Sequence, residues 1–310
     1  MAGLPDLEAL AIFAKVVEAH SFAGAAAALR LSKATVSKAV SRLETRLGAR
    51  LFNRTSRRLA LTEAGRRLAE RAARILAEGE AAEDEVLAQS GGPRGLIRLA
   101  APMSFGLVEV APVLPDFLRA YPEITVDLHL SDATVDLIGD GFDAALRIAA
   151  LPDSSLMARR LCGVGRILVA SPEYLARRGT PKHPLELGEH ACLGYTYLPN
   201  PDIWRFVNAV GEEAMVRPAG PLRANNADAL MPALDAGLGL AVQPDFIVRD
   251  ALTSGRLVAV LPEWSLPASA LHFITPPGGP RAPRVEALGD FLAKRLRRAE
   301  PLIESAPRGR

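Results

Sequence analysis

Only two cysteines, Cys162 and Cys192, occur in 310 residues, and five histidines are scattered at positions 20, 129, 183, 190 and 272. Two thiols cannot build a disulfide framework, and so few suit a reducing compartment. Neither the thiols nor the imidazoles have zinc-type spacing, so no metal or other cofactor is expected. His183 and His190 fall in a Pro- and Gly-rich stretch and read as surface residues. The signatures of catalysis are missing as well: there is no Gly-x-Ser-x-Gly elbow, no His-Glu-x-x-His, no P-loop and no Gly-x-Gly-x-x-Gly. The longest charge-free stretch, Trp264 to Pro280, is broken by prolines and His272, which argues against a transmembrane helix. Asp6, Glu8, Lys15 and Glu18 interrupt the apolar positions at the start of the chain, which argues against a signal peptide. These absences leave a soluble cytoplasmic protein of two domains at ~150 residues each. Its 49% hydrophobic residues supply ample material for cores.

Acidic residues are scarce in one place. Arg30 to Arg74 holds thirteen Lys or Arg against Glu44, Glu63 and Glu70, a local net charge of +10, whereas residues 75–310 carry a net of −6. Such asymmetry describes a polyanion-binding head on a neutral-to-acidic body, or a solvated basic face on an ordinary helical domain.

The first ninety residues read as helices. Leu7, Leu10, Phe13, Ala14 and Val17 form one apolar stripe at helical spacing. Ser21 can cap a short helix, Phe22 to Leu29; Ser32 can cap a third, which Gly48 ends. Val36, Val40, Leu43 and Leu47 share one face of that third helix, and Ala34, Ser37, Lys38, Ser41 and Thr45 share the other. Lys33 stands at its start and Arg42 on its flank. A short helix, a tight turn and a face of small and basic residues fit a helix-turn-helix whose second helix enters the major groove, with a plain three-helix bundle as the alternative. Lys33 and Lys38 can donate to guanine or phosphate, and the short Ala34 and Ser37 allow close approach. Two β-prone runs around Arg54, Arg57 and Arg58 read as a hairpin wing for phosphates or the minor groove. Thr62 caps a long helix to about Gln89, whose stripe of Ala64, Leu68, Ala72, Ile75, Ala82 and Val86 suits a dimer partner or the chain's own body.

Ser90-Gly-Gly-Pro-Arg-Gly95 is a linker. Beyond it strands and helices alternate: strand Leu96–Ala100, helix Phe105–Ala120, strand Ile124–Leu130, a helix near Val135–Asp140 and strand Ala144–Ile148. A second series has strand Arg166–Ala170, helix Glu173–Arg178, strand Cys192–Tyr195, helix Ala227–Gly237 and strand Leu240–Gln243. Strand Leu271–Thr275 and helix Val285–Arg298 return the chain to the first half. This succession predicts an α/β body with a parallel sheet, in two subdomains with a cleft between them.

Ser21-Phe, Ala25-Ala26, Leu31-Ser32-Lys-Ala-Thr-Val36-Ser37-Lys38, Arg42-Leu43-Glu44, Leu47-Gly48, Arg50-Leu51-Phe52-Asn-Arg54-Thr55 and Leu61-Thr62-Glu-Ala-Gly65 closely resemble the amino-terminal signature of LysR-type transcriptional regulators. Ala101-Pro-Met-Ser-Phe-Gly106, Asp140-Gly-Phe-Asp143, Leu146-Arg-Ile148, Ala158-Arg-Arg-Leu161 and Gly237-Leu-Gly239 look like that family's effector-domain landmarks. Leu151-Pro-Asp-Ser-Ser155 and Asn53-Arg-Thr-Ser-Arg-Arg58 are similar to its CrgA-like branch. The resemblance implies a winged helix-turn-helix (residues 1–62), a dimerising linker helix (63–90) and a two-lobed effector domain similar to periplasmic binding proteins (91–310). Its first subdomain would take 91–163 and 267–300, and its second 164–266. It further implies a dimer of dimers on double-stranded DNA at an interrupted palindromic operator, a small effector that shifts the assembly, and RNA polymerase as a further partner. Lys33, Ala34, Ser37 and Lys38 would read bases, with Arg54 in the wing; Lys33 stands where glutamine is common in the family.

A cleft ligand, expected to be a carboxylate, should meet helix amino ends, where free N–H groups favour anions. Ser104, and Asn225 with Asn226, stand before helices in the two halves and are the first candidates. They are equally good caps. Gln243, Pro244 and Arg147 follow, with Ala150 in the wall and Tyr195 near the mouth. Cys162 and Cys192 could form a redox pair like that of some family members, but nothing local lowers their pKa, and buried inert thiols are the favoured reading. An enzyme built on the α/β body is the alternative to a regulator; it would turn over a metabolite rather than bind it reversibly.

Overall fold

The structure is a computed structural model describing residues 4–55, 58–149, 158–198, 200–267, 269–276 and 281–296. Among them no single helix is long and apolar enough to cross a membrane. Polar caps delimit the head. Helix α1 (Leu7–Glu18) starts at Asp6, whose carboxylate accepts the Ala9 N–H at 3.1 Å. Helix α2 (Phe22–Ala28) starts at Ser21, whose Oγ accepts from Gly24 at 2.8 Å, and α3 (Lys33–Leu47) at Ser32, which accepts from Thr35 at 3.0 Å. Each cap satisfies a donor the helix cannot pair itself. Gly48 ends α3 at φ 65°, a conformation that costs glycine nothing. Strands β1 (Phe52–Thr55) and β2 (Arg58–Leu61) form the hairpin, in register Phe52 to Leu61 and Thr55 to Arg58. Thr62 then opens α4 (Glu63–Gly91), its Oγ1 accepting the Gly65 N–H at 3.0 Å.

Phe13, Val36, Val40, Leu43, Leu51, Phe52 and Ala72 fill the head's core, with Phe52 tilted against Phe13 and edge-on to Phe22 at ring distances of 5.4 and 5.5 Å. Two expectations about its faces are corrected. Leu47 is exposed, and Glu44, one turn earlier, is buried. The Glu44 carboxylate accepts the Leu51 N–H at 2.8 Å and faces that of Phe52 at 3.4 Å, so the wing's first amides recruit a charged acceptor into the core. On α1, Leu7 is exposed, while Ala9, Ile12 and Val16 broaden the buried face. Along α4, Ala72 is buried and Leu68 and Leu76 pack on the head, whereas Ala64, Ile75 and Ala82 are exposed. The Val86 side chain lies outside the described residues.

The body begins with β3 (Gly95–Ala101). The long helix expected next is a succession of pieces: α5 (Met103–Phe105), a π turn Gly106–Val110, a 3₁₀ turn Ala111–Val113, and α6 (Leu114–Ala120). Pro112 and Pro115 remove two of the donors a continuous helix would use. After β4 (Ile124–Leu130), the helix expected near 135–140 is a turn instead. The Asp136 carboxylate accepts the N–H groups of Ile138 and Gly139, an alternative that outcompetes the helix. Strands β5 (Ala144–Ala149), β6 (Ala158–Val164) and β7 (Arg166–Ala170), helix α7 (Pro172–Arg178), and strands β8 (Cys192–Tyr195), β9 (Trp204–Asn208), β10 (Glu213–Val216) and β11 (Arg223–Ala224) follow. A 3₁₀ turn Asp228–Leu230 leads into α8 (Met231–Asp235), then β12 (Leu240–Pro244), α9 (Asp245–Thr253), β13 (Val258–Ala259), β14 (Trp264–Ser265), β15 (Ser269–Ile274) and α10 (Pro283–Leu296).

These strands form two lobes. The first holds the sheet β4-β3-β5-β15-β6, and the second holds β11-β8-β12-β7-β13 with a small sheet β10-β9-β14. Neither large sheet is wholly parallel, contrary to expectation. Strand β3 runs parallel to β4 and β5, but β15, arriving from the far end of the chain, is antiparallel to β5 and β6, and β12 is antiparallel to β7. The chain crosses between lobes at Gly165 and again between β14 and β15. The Ser269 hydroxyl donates to the Val164 carbonyl at 3.1 Å, tying the two crossings together. Head and body also touch: Glu18 of α1 pairs with Arg98 of β3, and a Cβ at Gly141, where φ is 70°, would fall 2.3 Å from Glu18 Cγ.

Candidate functional site

The amino half of α3 presents Lys33, Ala34 and Lys38 to solvent with Ser37 half-buried beside them, and the buried Val36, Ala39 and Val40 fix the helix from behind. Among the described residues, neither Lys33 nor Lys38 has an acidic partner. Arg42 differs. Its guanidinium binds Asp6 at 2.6 and 3.2 Å and Glu8 at 3.0 Å, clamping α3 to the start of α1. Arg42 is also expected among the DNA contacts; its pairing with Asp6 and Glu8 gives it a structural role within the head. The same guanidinium holds the Asp6 carboxyl below the usual carboxylate range. The clamp is therefore complete above the unfolded pKa of about 3.9 and fades as the pH falls through the lower folded value. Arg42→Ala is expected to lower the melting temperature modestly at pH 7 and by a shrinking margin in acid. Operator affinity at a matched folded fraction stays unchanged, as read by melts across pH and by DNA titration. In the wing, Arg54 and Arg58 lie on the paired strands opposite Leu59 and Thr55, while Arg57 lies outside the described residues.

Between the lobes lies a cavity of about 670 Å³, a size typical of small-molecule sites. Ser104, Arg147, Tyr195 and Pro244 are among the residues that line it. Asn226 is not itself in the wall but bonds two residues that are. Its side-chain amide, from the second lobe, donates to Ser104 Oγ at 3.2 Å and to Asp132 at 2.9 Å, both in the first, and so bridges the cleft. Asn225 is exposed and off the wall. Gln243 is also not part of the wall. It is fully buried, and its amide donates to the Ala227 carbonyl at 3.0 Å, anchoring the loop that carries Asn226. Ala150 and the stretch 151–157 lie outside the described residues.

Two wall residues escaped sequence reading. Asp132, just beyond β4, accepts the Met103 N–H at 2.9 Å, so the helix start expected to receive a ligand carboxylate already holds one from the chain. Arg166, the first residue of β7, reaches the cavity half-buried. Burial pushes its pKa down from the ordinary arginine value, and burial, with Asp132 nearby, pushes that of Tyr195 up. Both positions follow crossings or turns whose placement depends on the other lobe.

Cys162 and Cys192 are buried in different cores, and burial pushes both thiols up to about 11, which disfavours the thiolate that redox exchange uses. His183 stacks edge-on with Trp264, and His190 bonds the Tyr174 hydroxyl at 3.0 Å. Among the described residues no three His, Cys, Asp or Glu side chains are grouped to hold a metal.

A winged helix-turn-helix on a long helix, ahead of two lobes around a ligand-sized cavity, defines a DNA-binding regulator with an effector-binding domain. The comparisons make the family specific. Residues 7–66 match the model of the bacterial regulatory helix-turn-helix protein, lysR family, and residues 90–297 match that of the LysR substrate binding domain. The chain belongs to the LysR family of transcriptional regulators. It is 43% identical over 294 residues to an HTH-type transcriptional regulator of Xanthomonas campestris, covering 94% of this chain and 86% of that protein. It is 39% identical over 256 residues to the regulator CrgA of Neisseria meningitidis, covering 83% and 85%. The solved structure of CrgA superposes with a TM-score of 0.59 at 34% identity, over 96% of this chain and 99% of that one.

Proposed function

We propose that this regulator reads an interrupted palindromic operator with the α3 faces of a dimer or dimer of dimers, and that a small anionic effector in the interlobe cleft alters the arrangement of the subunits and hence promoter activity. The observation that carries this reading is the pairing of a basic face, Lys33 to Lys38, with a cavity whose arginines, Arg147 and Arg166, have no acidic partner among the described residues. Residues 1–62 serve as the reading head, 63–90 as the dimerising helix and 91–310 as the effector domain, with RNA polymerase contacted from the bound assembly in the cytoplasm. The exposed Ala64, Ile75 and Ala82 of α4 offer the seam for self-association.

Recovery and sequencing of bound fragments from sheared source DNA at two salt concentrations tests the reading. A few sites that persist at the higher salt and share an interrupted palindrome are expected. Diffuse binding that vanishes with salt would mean that the head neutralises phosphate without reading sequence.

A further inference from the structure

The cleft is electrically lopsided. On the first lobe Asp132 takes the Met103 N–H with one oxygen and the Asn226 amide with the other, and Arg147 of β5 is exposed to solvent, which screens its charge. On the second lobe donors outnumber acceptors. Arg166 opens β7 one residue after the Gly165 crossing, opposite Pro244 in the antiparallel register, and no carboxylate among the described residues pairs with it. A guanidinium stays protonated under all ordinary conditions, and leaving one half-buried without a counter-ion is costly. Trp204, also in the wall and 2% exposed, has an indole N–H without a partner. Around these donors the wall is apolar, with Phe105, Tyr195 and Ile203 among its members.

We propose that Arg166 takes the acidic group of the effector, and that Asp132, occupying the place a second carboxylate would seek, restricts the cleft to ligands bearing one negative charge on an apolar body. This rests on the cleft being the effector site. Departing from the expectation that the ligand's charge sits at the helix start beside Ser104, it places the charge across the cavity at the lobe crossing.

Calorimetric titration of the full-length protein with phenylacetate, its neutral counterpart phenylacetamide and the dianion phenylsuccinate tests it. Phenylacetate is expected to bind at least about tenfold more tightly than either of the others. Arg166→Gln should weaken phenylacetate roughly 10- to 100-fold, bring it level with phenylacetamide, and leave the melting temperature of the empty protein unchanged or raised. Arg166→Lys should recover part of the loss. Asp132→Asn should spare phenylacetate and strengthen phenylsuccinate. Wild-type affinity for phenylacetate in Arg166→Gln, or equal affinity for acid and amide in the wild type, overturns the assignment while leaving the cleft a binding site. Binding of none of the three overturns the reading of the cleft itself.

Discussion

Replacing Gly65 with alanine destabilises the DNA-binding head by about 3 kcal/mol, while replacing Gly79 with alanine in the same helix stabilises the chain by roughly 0.5–1 kcal/mol. A Cβ at Gly65 would fall 2.1 Å from the Leu51 carbonyl oxygen. That atom is backbone and cannot swing aside. It also accepts the Thr62 N–H at 3.0 Å, and Leu51 itself is 1% exposed where α3 gives way to the wing. Moving α4 outward therefore loosens the wing from the recognition helix, so DNA affinity falls with stability. A Cβ at Gly79 meets nothing within 4 Å, and the substitution there only removes freedom from the unfolded chain. Denaturant titration followed by circular dichroism separates the two variants, with the Gly65→Ala head unfolding well before the body. Identical curves for both variants and the wild type would mean that contact with Leu51 does not hold the wing.

Lys38→Ala weakens operator binding about tenfold and lowers the salt dependence of binding by about one counterion, without changing the melting temperature. Lys38 is exposed on the outer face of α3, and no internal partner competes for its charge. Lys33, at the helix start, is exposed as well, and Lys33→Ala is expected to relax the preference at one base pair by about 1–3 kcal/mol. Titration against the operator and single-base variants at two salt concentrations distinguishes the two roles. Wild-type affinity in both variants would place the reading face elsewhere on the head.

Local chemistry was legible in the sequence. Ser21, Ser32, Thr62 and Gly48 mark helix ends because each satisfies backbone groups within its own turn, and the hairpin followed from β-prone runs around a polar turn. Faces were less legible. Periodicity sets Leu47 and Glu44 on neighbouring rows of α3, and which is buried depends on the amides of Leu51 and Phe52, which the helix pattern does not contain. The expectation of a parallel sheet failed for a similar reason: β15 inserts between β5 and β6 from more than a hundred residues away. Cleft residues at strand ends, Tyr195 and Pro244, could be named because the strands they close were legible. Asp132 and Arg166 could not, since one acquires its role from a helix start 29 residues earlier and the other from the chain's passage between lobes.

The contact of Glu18 with Arg98 bears on how a change in the body reaches DNA. Helix α4 has 29 residues and is about 43 Å long, so a tilt of only 5° at its base would swing its tip by about 4 Å. That exceeds the ~3.4 Å spacing of stacked base pairs. With Arg98 paired to Glu18, α1 is tied to the first lobe at a second point besides the chain link at residues 92–94. On the proposed function, a shift of a few ångströms in the body is expected to change the half-site spacing that a dimer accepts.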